Sequence, residues 1–220
     1  MPVLRRLSSI ALAGAVLAVA ACARGGPPAA LPPPAAFTPL GLGAAYLTGA
    51  LTGGAKARAA KLRAAKIRPL SSAASATYMA ELDSELRRQT AGIGIDVIRV
   101  AGGIVIRIPA SLTFDTGSSE VKPRFDATLL EIARTVKTRN QTFVDVLAHT
   151  DTSGTPQGNQ ALSDKRATAV ATYLTRHGVA RARIASRGLG ESAPLYNPDV
   201  DETQKAANRR VEIRLVPYLG

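Results

Sequence analysis

The sequence predicts an α/β sandwich, helices packed on a small sheet, and three features carry that prediction. Apolar residues recur at helical spacing in three stretches, β-rich runs lie between and around them, and proline and glycine punctuate the boundaries. At 220 residues and 46% hydrophobic composition, the chain holds enough apolar material for one domain of ordinary size plus appendages.

The N-terminus reads as an export signal. Arg5 and Arg6 precede the uncharged run Ile10 to Ala21, an apolar core behind a basic leader and too short for a transmembrane helix. It ends Val19-Ala20-Ala21-Cys22, small residues before the only cysteine of the chain. This resembles a bacterial lipobox, which implies that residues 1–21 are a lipoprotein signal peptide and that Cys22 becomes the acylated, palmitate-bearing first residue. Each buried methylene of such an anchor contributes about 0.8 kcal/mol. One cysteine also excludes a disulfide within the chain.

Residues 22–39, rich in Pro, Ala and Gly, read as an extended tether. Residues 40–70 form a Gly/Ala-rich and basic segment. Its first part, "LGLGAAYLTGALTGGA", has the small-residue spacing that lets another helix approach closely, and equally suits a weakly ordered continuation of the linker. Its second part, "KARAAKLRAAKIR", carries six basic residues spread around the helical wheel, so a solvated helix or coil is expected. Beside a lipid anchor, such a run would also attract phosphates of lipids or of lipopolysaccharide. The net charge of +12 raises nucleic acid as a partner, but an exported chain without aromatic stacking platforms excludes it.

Residues 71–108 supply a helix and a hairpin that extend the domain. "YMAELDSELRRQ" sets Tyr78 or Met79, Leu82 and Leu86 four apart, and two β-rich runs flank Ala101-Gly102-Gly103, with Pro109 ending the ladder. The domain proper spans 109–220. Phe114 reads as the end of a strand after Pro109. "KPRFDATLLEIARTVKTR" follows as a helix with Pro123 in its first turn and Phe125, Leu129, Ile132, Ala133 and Val136 on one face. "TFVDVLAHT" is a strand. "TPQGNQALSDKRATAVATYLTRHG" is a helix with Thr155 as N-cap, Pro156 at N1 and Gly178 as C′. "RIASRGLG" and "RRVEIRLVPY" are further strands.

Two triplets raise a protease question. Asp115-Thr116-Gly117 and the near-copy Asp151-Thr152-Ser153-Gly154 would, if adjacent, offer an aspartic dyad sharing one proton. Each copy runs into a different helix and nothing indicates duplicated halves, which argues against a peptidase using Asp115 and Asp151. The second copy is more informative as geometry. Asn159, Leu162 and Arg166 share one helical face, and Asp151 lies in the loop feeding that helix. A carboxylate and a guanidinium across a small groove suit a zwitterion, and the same spacing equally suits an ordinary Asp151 to Arg166 salt bridge. His149 and His177, with Cys22 consumed by lipid, cannot assemble a usual zinc set, so His149 is expected to hold its loop by hydrogen bonds.

The ordered set "AHTDTSGTPQGNQALSDKRATAVATYL", "GLGESAP" and "NRRVEIRL" resembles the peptidoglycan-binding domain shared by the C-terminal part of OmpA, the lipoprotein Pal and the stator protein MotB, over roughly residues 110–217. The whole chain is similar to YiaD-type lipoproteins. The resemblance implies an OmpA-C-like β/α/β/α fold with a small mixed sheet. It also implies a binding module without catalytic residues, cofactor or metal, anchored through Cys22 to outer-membrane lipid with its domain facing the periplasm. Asp151 and Arg166 would clasp the two charged groups of the meso-diaminopimelate in the peptidoglycan stem peptide. Asn159 and Leu162 would line the groove, Arg209 would close its far side, and Thr116 and Gly117 would reach the ligand through backbone groups. Lys165 departs from many relatives but points off that face. An assembly or channel-forming role through Leu40 to Ala55 is the remaining alternative.

Overall fold

The computed structural model describes residues 54–220. The signal peptide, Cys22, the tether and the Gly/Ala-rich stretch as far as residue 53 lie outside the described residues. In chain order the elements are α1 (Gly54–Ala64), α2 (Ser72–Thr90), β1 (Asp96–Val100), β2 (Gly103–Pro109), α3 (Ala110–Thr113), α4 (Pro123–Thr138), β3 (Thr142–Ala148), α5 (Pro156–Arg176), β4 (Ile184–Gly188), α6 (Glu202–Asn208) and β5 (Arg210–Pro217), with a 3₁₀ turn at Arg181–Arg183.

The strands form one mixed sheet in the order β1-β2-β5-β3-β4. Only β3 and β4 run parallel, as α5 between them requires, and the other neighbours are antiparallel. Helices α2, α4 and α5 set their apolar faces against one side of this sheet. Met79, Leu82 and Leu86 of α2, Phe125, Leu129, Ile132 and Val136 of α4, and Val170 and Leu174 of α5 meet Ile104, Ile106, Val144, Val146, Ile213 and Leu215 there. Thr155 caps α5 by accepting a hydrogen bond from Gly158 N at 3.1 Å, with Pro156 at the position where no amide hydrogen is needed.

Three local readings change. The hairpin turn is Ala101-Gly102, because Val100 pairs with Gly103 and Gly103 already opens β2. Phe114 does not end a strand: Ala110 to Thr113 form one helical turn, closed by Phe114 N on Ala110 O at 2.8 Å. Pro109 ends the ladder opposite Arg210 and the chain turns there, dropping Phe114 into the core at 2% exposure.

The third change concerns the basic segment. Lys56, Lys61, Arg63, Lys66 and Arg68 are exposed as expected, but Arg58, Leu62 and Ile67 are buried. Leu62 and Ile67 join Phe143, Val216 and Tyr218 in a second apolar cluster, on the sheet face turned away from α4 and α5. Arg58 pairs with Asp145 at 2.6 Å and donates to Arg183 O at 3.1 Å. A helical wheel hides this, because the partner is a fully buried carboxylate in mid-strand that needs a cation to offset its desolvation. Leu70 then bridges to Leu219 beside the C-terminus.

Candidate functional site

The C-terminal ends of β2, β3 and β4 and the start of β5 lie at one edge of the sheet, since Ala148 is opposite Gly188 and Val211, and Pro109 opposite Arg210. Backbone bonds tie the connections there into one surface. His149 N donates to Arg210 O, Thr150 N to Gly190 O and Ala110 N to Arg209 O, each at 2.9 Å. The stretch Gly188-Leu189-Gly190 lies directly on α5, where a Cβ at Gly188 would sit 2.2 Å from Asp164 N and 2.4 Å from Ser163 Oγ. Asp164 Oδ1 and Ser163 Oγ use that closeness to accept from Gly188 N and Gly190 N, each at 2.8 Å.

On this surface Asp151 is 7% exposed. Its Oδ1 accepts from Ser153 N at 3.0 Å, and its Oδ2 accepts from Arg209 Nη1 at 2.5 Å. Arg209 also bonds Glu202. Arg166, 5% exposed, donates Nε to Ser118 O at 2.9 Å and Nη2 to Asp115 O at 3.4 Å, with its guanidinium carbon 5.1 Å from the Phe114 ring centre. The intramolecular Asp151 to Arg166 salt bridge allowed by the spacing is therefore absent, and the partner of Asp151 is Arg209. Burial lowers the Arg166 pKa, the nearby Arg209 cation adds to that, and Asp151 opposes it.

Asn159 is the hub between loops. Its Nδ2 donates to Asp151 O at 3.2 Å, Ser153 O at 3.0 Å and Glu191 Oε2 at 2.7 Å. Leu162, one turn on, is half-buried. Thr116 and Gly117 are exposed, Gly117 at φ +72°, a left-handed turn that leaves the carbonyls of Asp115 and Ser118 directed at Arg166. Lys165 is exposed and off this face.

The two aspartates of the triplets do not form a dyad. Asp115 is paired with Lys122 at 3.0 Å with its side chain 80% exposed, while Asp151 is held by Arg209. Among the described residues no three His, Cys, Asp or Glu side chains converge on a metal position. His149 is 1% exposed; backbone bonds from His149 N and Thr150 N hold the loop, and the ring lies against the backbone of Ala193. Burial, helped by the Arg210 cation, pushes its pKa down to about 3.

Several supports were not legible beforehand. Glu191 stands in the quoted Gly-x-Gly-Glu motif, but its bond to Asn159 crosses 32 positions of sequence. Asn208, fully buried, accepts from Leu195 N and Tyr196 N and donates to Asp199 Oδ2, and Asp199 in turn holds Thr152. In "NRR", then, the first residue builds the loop, the second meets Asp151, and Arg210 turns under the sheet to pair with Glu212 at 2.8 Å.

Residues 113–209 match the OmpA family. The chain is 38% identical over 140 residues to the probable lipoprotein YiaD of Escherichia coli (strain K12), covering 64% of this chain and 64% of that protein. It is 34% identical over 128 residues to the peptidoglycan-associated lipoprotein of Pseudomonas putida, covering 56% of this chain and 76% of that protein. The cell wall anchor of the T6SS from Pseudomonas aeruginosa has a similar structure, with TM-score 0.55 and 26% identity, over 60% of this chain and 96% of that one. The chain thus spans somewhat under two thirds of the YiaD protein's length.

Proposed function

This chain belongs to the OmpA family, and from that premise we propose that it is a non-catalytic, peptidoglycan-binding lipoprotein that ties the outer membrane to the cell wall. In this reading residues 1–21 are removed, acylated Cys22 enters the outer membrane, and residues 22–39 span the gap to the folded domain in the periplasm. The domain takes the meso-diaminopimelate of a stem peptide, with Asp151 receiving its ammonium and Arg166 its carboxylate. Asn159, Leu162, Thr116 and Gly117 line the approach.

One observation carries the reading: Arg166 is a nearly buried guanidinium that forms no ion pair among the described residues. A buried charge without a counterion is costly, and a bound carboxylate would supply one in a forked geometry. Asp151, by contrast, enters binding already neutralised by Arg209. A ligand ammonium shares that carboxylate with Arg209, whose guanidinium flanks the carboxylate position from the far side. The peptidoglycan-associated lipoprotein and the cell wall anchor to which the chain is similar support the same partner.

Sedimentation with purified sacculi tests this. Wild type is expected to co-sediment and the Asp151→Ala/Arg166→Ala double variant to remain in the supernatant. Equal retention of the two proteins would remove the groove from consideration.

A further inference from the structure

We infer that a basic pocket between α1 and β4 is a second binding site, for a phosphate group carried by a lipid headgroup or by a free phosphate ester. The pocket has a volume of about 410 Å³, and its walls are Arg58 and Lys61 of α1, Arg181 and Ala182 of the 3₁₀ turn, and Ile184 to Ser186 of β4. Two exposed cations, Lys61 and Arg181, with the ion-paired Arg58 behind them, therefore line one cavity whose wall contains no carboxylate.

Two of the three charges are not consumed internally. Lys61 and Arg181 are exposed and form no ion pair among the described residues; Arg181 spends Nη1 on Ile184 O at 2.8 Å. Arg58 is 3% exposed, and its Nη2 serves Asp145 and Arg183 O. Its Nη1 is buried with no hydrogen-bond partner, beside the Phe143 ring centred 4.7 Å from the guanidinium carbon. Arg58 thus forms the inner, internally paired wall of the pocket, and the cations open to a ligand are Lys61 and Arg181. The one neighbouring acid, Asp145, is fully buried and occupied by Arg58.

The chemistry selects a phosphate over a carboxylate. A carboxylate is satisfied by one guanidinium fork, whereas a tetrahedral phosphate offers oxygens to cations converging from α1 and from the 3₁₀ turn together. The cavity is larger than one phosphate needs and falls in the range of small-molecule sites, and Ala182, Ile184 and Ala185 give it an apolar wall for a glycerol or sugar moiety. The basic run that the sequence offers to phosphates in general thus contributes two of its residues, Arg58 and Lys61, to one built pocket. This site does not depend on the peptidoglycan groove, which lies past the C-terminal ends of β3 and β4.

The test uses the full chain in uncharged-detergent micelles. Thermal unfolding is followed with glycerol 3-phosphate, or with phosphatidylglycerol doped into the micelles, against sodium chloride at matched ionic strength. The Lys61→Gln/Arg181→Gln variant leaves the Arg58 to Asp145 pair intact, and Lys66→Gln/Arg68→Gln removes the same charge outside the pocket. The phosphate compounds should raise the unfolding temperature of wild type and of the outside variant, while the pocket variant should need about tenfold more ligand and still bind sacculi normally. A stronger response to doped micelles than to glycerol 3-phosphate assigns the site to a lipid headgroup, and the reverse assigns it to a free ester. Equal behaviour of the two variants, or an equal effect of chloride, overturns the proposal.

Discussion

Arg166 and His149 show how differently two buried cationic residue types are used. Arg166 keeps its charge at 5% exposure by resting on two backbone carbonyls and the Phe114 ring. Arg166→Lys retains the charge but loses the planar fork, so sacculus binding should weaken about tenfold or more, while urea unfolding shows a loss of only about 1–2 kcal/mol. A lysine variant that binds like wild type would mean that charge alone suffices. His149 is instead held neutral among Arg210, Glu212 and Arg214, with its pKa down to about 3. Because the folded value lies below the unfolded one, near 6.5, the unfolded chain takes up the proton first as pH falls. Stability is complete above about pH 6.5 and declines toward pH 3, at up to about 1.4 kcal/mol per pH unit. His149→Leu should flatten the stability profile between about pH 6 and 4.5. Asp199 contributes only further down: burial opposes its ionisation, but hydrogen bonds from Thr152 and Asn208 hold its pKa below the usual carboxylate value. Its stabilisation is present above about pH 4 and is lost as pH falls through that lowered value.

At the scale of elements, α5 serves both layers of function. Its Val170 and Leu174 end anchors the core, and its Asn159 and Arg166 end builds the site, so the site inherits the rigidity of the core. The contact of Gly188 with the α5 backbone fixes the distance between the two loops. Gly188→Ala should cost about 3 kcal/mol or more in denaturant unfolding, because backbone at 2.2 Å has to move, and sacculus binding should fall with it. Element types were largely legible: alternation over Arg210 to Leu215 and three- and four-residue spacing over Met79, Leu82 and Leu86 report the faces that reach the core. The short helix at Ala110–Thr113 was not, since four residues hold no period and its direction is decided by Phe114 finding the core.

In the whole molecule, the entry of the chain at α1 and the candidate groove are separated by the length of β3. Leu70 and α1, where the chain comes in from the N-terminal side, lie near Thr142 and Tyr218, and the groove begins beyond Ala148, about 20 Å along the strand. On the proposed function, a pull between the lipid anchor and the wall would run along the sheet. The structure also extends the domain upstream of residue 71, where the sequence suggests it begins. A chain starting at residue 71 removes Arg58 and Leu62, stranding Asp145 without its cation and uncovering Phe143, Val216 and Tyr218. That truncation should lose about 3–5 kcal/mol relative to one starting at residue 54. Adding Asp145→Val to the shorter chain should recover part of it, as thermal unfolding of the set would reveal.

By itself the sequence determined the fold class, the order of the sheet strands and the longer helices of the domain, and the identity of Asp151, Asn159 and Arg166 as neighbours on one surface. Periodicity and loop order are local properties, and a helix face three to seven residues long can be read without knowing what lies opposite. Which cation meets which anion was decided only by the tertiary structure. Arg209 reaches Asp151 across 58 positions and Arg58 reaches Asp145 from a helix that reads as solvated, because pairing in a folded chain is set by the strand register that brings distant side chains together.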